Sequence, residues 1–258
     1  MKAAGTVIVI PVYNHEGAMP GVIAALKPLG LPCLMVNDGS SPDCRKVLEG
    51  LAAAESPWLS LIHLEANQGK GGAVMAGCRE AFARGFSHAL QIDADGQHTA
   101  SDIPRFVAAS AENPDAVICG EPVFDDSIPR SRLYGRLATN LWIWINSLSF
   151  SIHDAMCGFR LYPLAPLIAL MAEVELGKRM DFDPELLVRL SWKGLKIVNL
   201  PTAVHYPSDG RSHFRMGLDN WLISRMHGRL FFGMLFRLPL LLWNKWATGS
   251  KNRAKRPA

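Results

Sequence analysis

Asp93-Ala94-Asp95 places two carboxylates one residue apart, at the end of a β-type run and just before Gly96-Gln97-His98. Both can approach one divalent cation from a strand end. Mg²⁺ and Mn²⁺ favour such oxygen ligands and share their shell readily with phosphate oxygens. The plainer reading of an isolated Asp-x-Asp is a solvated turn. A second polar cluster, Asn37-Asp38-Gly39-Ser40-Ser41, also follows a strand-like run. An acid there suits a hydrogen bond to a base or ribose and Gly39 permits the turn, while the same residues read equally well as a helix N-cap. Asn67-Gln68-Gly69-Lys70-Gly71-Gly72 has the glycines and lysine of a phosphate loop without matching GxxxxGK[ST]. Its glycines admit close backbone approach and the helix start after them favours anions; a flexible loop with a solvated lysine is the alternative. The first run ends in Pro11-Val12-Tyr13-Asn14 with no GxGxxG after it, which weighs against a dinucleotide dehydrogenase.

Short β-branched runs alternate with amphipathic stretches to position these groups. Strands are expected over Thr6–Val12, Pro32–Asn37, Leu59–Leu64, His88–Asp93 and Ala116–Cys119, and helices over Ala18–Lys27, Asp43–Ala53, Gly72–Arg84 and Ser101–Ala111. Such βα alternation with short links predicts an α/β fold with a doubly wound, mostly parallel sheet, whose ligands sit beyond the carboxyl ends of the strands. The polar clusters fall there. After Gly120 the pattern changes. Arg130, Arg132 and Arg136 precede an apolar stretch, Leu137–Ile145, and a turn-rich segment, Asp154–Arg160, follows. Pro184–Trp192 reads as a helix and Leu195–Leu200 as a strand, completing the same sheet.

The 258 residues, 49% hydrophobic and 19% charged, describe a globular chain with a sizeable core. Five cysteines without a CxxC pair or Cys/His cluster argue against structural zinc and a disulfide framework, and fit a reducing cytoplasm. The start lacks the features of a signal peptide, and no run of about 18 apolar residues supports a spanning helix. Ten of the 27 basic residues but only one of the 23 acidic ones, Asp219, lie from Arg211 onward. The rest carries 17 basic and 22 acidic residues, so a mildly acidic body adjoins a basic end that seeks an anionic surface.

Taken in order, VIVIPVYN, VNDGSS, NQGKGGAV, DADGQH, DAMCGFR and DFDPELLVRLSWKGLKIVNLP cover roughly residues 6–215. As a set they resemble family 2 glycosyltransferases, especially the polyprenyl-phosphate (dolichol-phosphate mannose/glucose synthase-like) branch. The resemblance implies a GT-A fold, Rossmann-like with helices on both faces of the sheet. It also implies a UDP- or GDP-sugar donor, Mg²⁺ or Mn²⁺, and inversion at the anomeric carbon. By the same resemblance Pro11, Tyr13 and Asp38 would contact the nucleoside, with Asn14, Lys70 and Ala94 grouped at the donor. Asp93, Asp95 and Gln97 would hold the metal. Arg160 would meet a phosphate of donor or acceptor, a role Arg130 and Arg132 would share. Asp183 stands where the family's base is expected: it would accept a proton from a hydroxyl acceptor, or merely position groups if the acceptor is an ionised phosphate. The loop after the last strand would close over the diphosphate with Arg211 on the phosphates, His213 replacing the usual lysine. No QxxRW motif of processive synthases is present, which argues for addition of a single sugar.

The expected organisation is a catalytic domain over 1–215, with a donor half to about 120 and an acceptor half after it. Amphipathic helices over 216–248 and a basic tail over 249–258 follow. Trp221, Trp243 and Trp246 among leucines and arginines suit a peripheral helix at a membrane interface, on the cytoplasmic face, with Arg225 and Arg229 snorkelling to headgroups. A helix packed on the core is the competing reading. The expected partners are a nucleotide-sugar and a membrane lipid acceptor such as polyprenyl phosphate; the apolar, tryptophan-rich run disfavours nucleic acid, and the sequence leaves the oligomeric state open. Transfer to a glycolipid hydroxyl in envelope or polyene-lipid biosynthesis, or nucleotide-sugar binding without transfer, are the alternatives.

Overall fold

A computed structural model describes residues 5–124, 130–204 and 215–254 of the chain. The first part runs β1 (Thr6–Val12), α1 (Met19–Leu26), β2 (Cys33–Asp38), α2 (Pro42–Ala54), β3 (Leu59–Leu64) and α3 (Lys70–Ala83). It continues through β4 (His88–Gln91), α4 (Ile103–Glu112) and β5 (Val117–Phe124). Then come α5 (Arg130–Ser147), β6 (Arg160–Pro163), α6 (Leu164–Glu173), α7 (Phe182–Trp192), β7 (Ile197–Val204) and α8 (Met216–Ala254).

One seven-stranded sheet in the order β3-β2-β1-β4-β6-β5-β7 joins both halves of the chain. Only β6 runs against its neighbours β4 and β5; the other pairings are parallel. The carboxyl ends of six strands therefore share one edge, and the start of β6 lies on that edge too. Residue alternation builds the two layers: Val7 and Val9 of β1 face one apolar core, and Ile8, Ile10 and Val12 face the other. The first core packs α3, α6, α7 and α8, and the second packs α1, α2 and α4.

The central β-α alternation follows the sequence pattern closely, with shifts at the ends. Strand β5 runs on to Phe124, and α3 begins at Lys70 because Gly69, at φ 87°, turns the chain into the helix there. The pattern gave no sign of β6 or α6. The former has four residues, and the latter carries Pro166 in its first turn, where a missing N–H costs nothing. Gly249–Ala254, expected as part of a tail, continues α8, which corrects that boundary; residues 255–258 lie outside the described residues.

Candidate active site

The strand-end loops meet around three carboxylates and one ammonium. Lys70, the first residue of α3, points its Nζ between two loops distant in sequence, 2.9 Å from Asp93 Oδ1 and 2.9 Å from Asp183 Oδ2. It also donates to Asp93 Oδ2 at 3.0 Å. Asp93 lies just beyond β4, and Asp183 is the second residue of α7. The alternative of a solvated lysine does not hold: 16% of its side chain is exposed, and it bridges the two acids.

Backbone packing fixes this meeting. Cβ atoms built at Gly71 and Gly72 would lie within 3 Å of Phe182 and Gln68, so the first turn of α3 seats directly on its neighbours. Gly158, in the turn before β6, approaches more closely still: a Cβ there would collide with Asp93 Oδ2 and lie 2.5 Å from Lys70 Nζ. The turn itself is organised by Asp154, whose Oδ1 accepts from Met156 N at 2.8 Å and Cys157 N at 2.7 Å while Arg136 pairs with the carboxylate.

Asp183 is buried. Its Oδ1 receives Gln91 Nε2 at 3.2 Å and Arg160 Nη1 at 3.3 Å, and Gln91 in turn accepts from the Tyr162 hydroxyl at 3.3 Å. Arg160, expected against a phosphate, has no exposed side-chain surface. It donates to the carbonyls of Ala155 at 2.6 Å and Asp183 at 2.8 Å. Its placement is thus beneath the site, supporting Asp183, and this corrects the expectation of direct phosphate contact.

Burial opposes ionisation of Asp93, but Lys70 and His98 overcome it and hold its carboxyl far below the usual carboxylate range. The same cluster raises the Lys70 ammonium against the opposing effect of burial, through Asp183 and Asp93. Asp95 moves the other way: burial, then the charge of Asp93, raises its carboxyl. One Asp95 oxygen accepts from Gln97 N at 3.0 Å, which folds the loop so that Asp93, Asp95 and Gln97 lie together beyond β4. Asp93 Oδ1 lies 2.9 Å from the Lys70 ammonium. Two carboxylates and the side-chain amide of Gln97 are oxygen donors of the kind a hard divalent cation takes while it completes its shell with substrate oxygens. Among the described residues no group of three or more His, Cys, Asp or Glu is placed to hold a metal ion.

Asp38, at the end of β2, is buried and its carboxylate is taken by the neighbouring loop between β3 and α3. Gln68 N donates to it at 2.7 Å, Gly69 N at 2.9 Å and Asn67 Nδ2 at 3.0 Å. Burial raises it, and these backbone donors and Arg179 oppose the rise. Asn14, at φ 53°, accepts from Ser41 N at 2.8 Å, while its own N–H donates to Ser40 Oγ at 3.1 Å, so the loops after β1 and β2 are stitched together. Pro11 and Tyr13 are half-buried at the end of β1, and Ala94 is buried between the two acids. Ser41 also caps α2 by accepting from Cys44 N at 3.3 Å. Arg211 and His213 lie outside the described residues, and Arg130 and Arg132 occupy the first turn of α5 without described side chains.

Sequence reasoning missed His98 as a participant. Its ring stacks on Phe159 with centroids 5.4 Å apart, its Nε2 lies 3.9 Å from Asp93 Oδ2, and its Nδ1 is buried without a hydrogen bond. It also missed Gln91, Tyr162 and Gly158. The first two look like ordinary strand residues, and Gly158 like an ordinary turn glycine; only the antiparallel register Gln91↔Arg160 brings them under the site.

Comparison with known proteins agrees with this architecture. The profile described as Glycosyl transferase family 2 matches residues 7–168. An undecaprenyl-phosphate mannosyltransferase from Micrococcus luteus is 29% identical over 198 residues, 75% of this chain and 80% of that protein. A polyprenol monophosphomannose synthase from Mycolicibacterium smegmatis is 26% identical over 201 residues, 76% of each chain. The crystal structure of glucosyl-3-phosphoglycerate synthase from Mycobacterium tuberculosis with Mn²⁺, UDP-glucose and phosphoglyceric acid superposes with a TM-score of 0.61 at 16% identity. That likeness covers 90% of this chain and 80% of the other, and it shows the shared GT-A fold. With the profile spanning β1 through β6 and most of the acidic cluster, the chain belongs to glycosyl transferase family 2.

Proposed function

We propose that this glycosyltransferase moves one sugar from a nucleoside-diphosphate sugar to a polyprenyl phosphate, with inversion at the anomeric carbon. The observation that carries the choice of acceptor is the state of Asp183. Its carboxylate is buried and accepts hydrogen bonds from Gln91 and the buried Arg160 beneath the site, so little surface remains to take a proton from an acceptor. A hydroxyl acceptor needs a general base; a phosphate monoester arrives already ionised and attacks without one. Asp183 then positions Lys70 and the start of α7. The printed names of the Micrococcus and Mycolicibacterium relatives support the same acceptor class.

Asp93, Asp95 and Gln97 would hold Mg²⁺ or Mn²⁺, and such an ion supplies charge neutralisation for the departing diphosphate. Pro11, Tyr13, Asn14 and the loop built on Asp38 receive the nucleoside of a UDP- or GDP-sugar. Arg211 and the loop that carries it meet the phosphates.

The protein works as a peripheral enzyme on the cytoplasmic face of the membrane. No helix among the described residues is long and apolar enough to cross a bilayer. One face of α8, with Ile223, Met226, Leu230 and Met234, is buried on the body; the other exposes Trp221, Phe232, Phe236, Leu240 and Trp243. Leu133, Tyr134, Leu137 and Leu141 continue the apolar surface on α5. Arg225, over the Trp221 ring at 5.4 Å, stands beside it with the charge an anionic headgroup requires, while Arg237 lies over the Trp192 ring at 5.1 Å. Arg229, expected among the snorkelling arginines, is instead taken by buried Glu185 at 2.6 Å and pins α8 to α7.

The test is a transfer assay with Mg²⁺ or Mn²⁺, a panel of UDP- and GDP-sugars, and undecaprenyl phosphate in phosphatidylglycerol vesicles. Labelled sugar is expected in the lipid phase for one donor, lost on chelation and reduced at least about a hundredfold in Asp95→Ala. Absence of transfer from every donor, by protein that sediments with the vesicles, would refute the proposal.

A further inference from the structure

Lys70 carries its charge where a metal-bound donor must bring its own. Its ammonium sits within 3.0 Å of both oxygens of Asp93 and 2.9 Å from Asp183, a strand-end acid and a helix acid with no other direct link between them. Among the described residues, Asp93, Asp95 and Asp183 face only Lys70 and the buried Arg160 as fixed cations, with His98 at 3.9 Å, so without Lys70 the described cluster would hold a strong excess of negative charge. The backbone of Lys70 has no room to shift: Gly71 and Gly72 seat on Phe182 and Gln68, and Gly72 N donates to Lys178 O at 3.1 Å. The side chain, with four rotatable methylenes and 16% of its surface exposed, is free of that restriction.

We propose that Lys70 is a displaceable resident cation: it neutralises Asp93 and Asp183 in the empty enzyme, and a divalent ion arriving at Asp93 and Asp95 expels it toward the donor's phosphates. The proposal rests on the metal site of the preceding reading. It gives the glycine-lysine loop a role before the donor binds, and it makes the strut between donor and acceptor halves conditional on an empty metal site.

Mn²⁺ titrations of the full chain, followed by the electron paramagnetic resonance signal of the free ion, compare wild type, Lys70→Met and Lys70→Met/Asp95→Ala. Removing the competing cation is expected to tighten binding of Mn²⁺ alone about tenfold, and adding Asp95→Ala to abolish the gain. Equal or weaker binding by Lys70→Met, still dependent on Asp95, would overturn the resident-cation role and leave the metal site standing. Absence of Mn²⁺ binding in wild type and variants, with or without UDP or GDP, would overturn both. A second measurement needs no variant: acetic anhydride labelling of wild type, read at Lys70 by mass spectrometry. Labelling is expected to rise when Mn²⁺ is added alone, and an unchanged rate would contradict the displacement.

Discussion

At Gly158 a β-carbon would strike Asp93 Oδ2 and come within 2.6 Å of Asp93 Oδ1, so the residue with the least chemistry constrains the cluster most tightly. Gly158→Ala is therefore expected to push Asp93 or Lys70 from its place, at a cost of about 1–3 kcal/mol in stability. Transfer should fall at least about tenfold while the far-ultraviolet circular dichroism stays unchanged; near-normal activity and melting would contradict the described geometry. At this scale the residue types were legible in the sequence and their alliances were not. Asp93, Asp95, Lys70 and Asp183 stood out because charged groups at strand ends and helix starts are conspicuous. That Lys70 would choose two acids over solvent, or that Arg160 would be buried, depends on contacts 23 to 113 positions apart, which no local pattern encodes.

Elements decide which of those contacts form. Strands β1 to β4 were readable because parallel buried strands present uninterrupted apolar runs. Strand β6 was hidden by its length and its terminal proline, yet its antiparallel register brings the Asp154–Gly158 turn to the site. The long helix α8 packs one face on the core, as the competing reading had it, and leaves the other exposed. On its packed face His227 is buried against Asn146, with Nδ1 3.3 Å from Asn146 Nδ2 and Trp142 stacked alongside. Burial lowers its pKa from 6.5 to about 4. An unfolded chain thus binds the proton first as pH falls, so the neutral histidine's contribution is complete above pH 6.5 and lost progressively toward pH 4. The expected loss across that window is on the order of 2 kcal/mol after allowing for partial solvent access. His227→Phe should flatten that part of the stability curve in urea melts at several pH values. An unchanged slope would show that His227 does not cause it.

Across the whole molecule, one sheet edge gathers the strand-end loops and the acidic cluster, and helices α5 and α8 expose apolar side chains on the same body. On the proposed reading a water-soluble donor and a lipid phosphate meet at that edge, and Asp183, buried against Arg160, requires an acceptor that arrives charged. The most direct measurement is a comparison of acceptors: vesicles carrying undecaprenyl phosphate against vesicles carrying undecaprenol, with the same donor, metal and enzyme. Transfer to the phosphate and none to the alcohol is the result this account predicts. Transfer to the alcohol at a comparable rate would contradict it, and would mean that Asp183 leaves Arg160 and Gln91 to serve as a base.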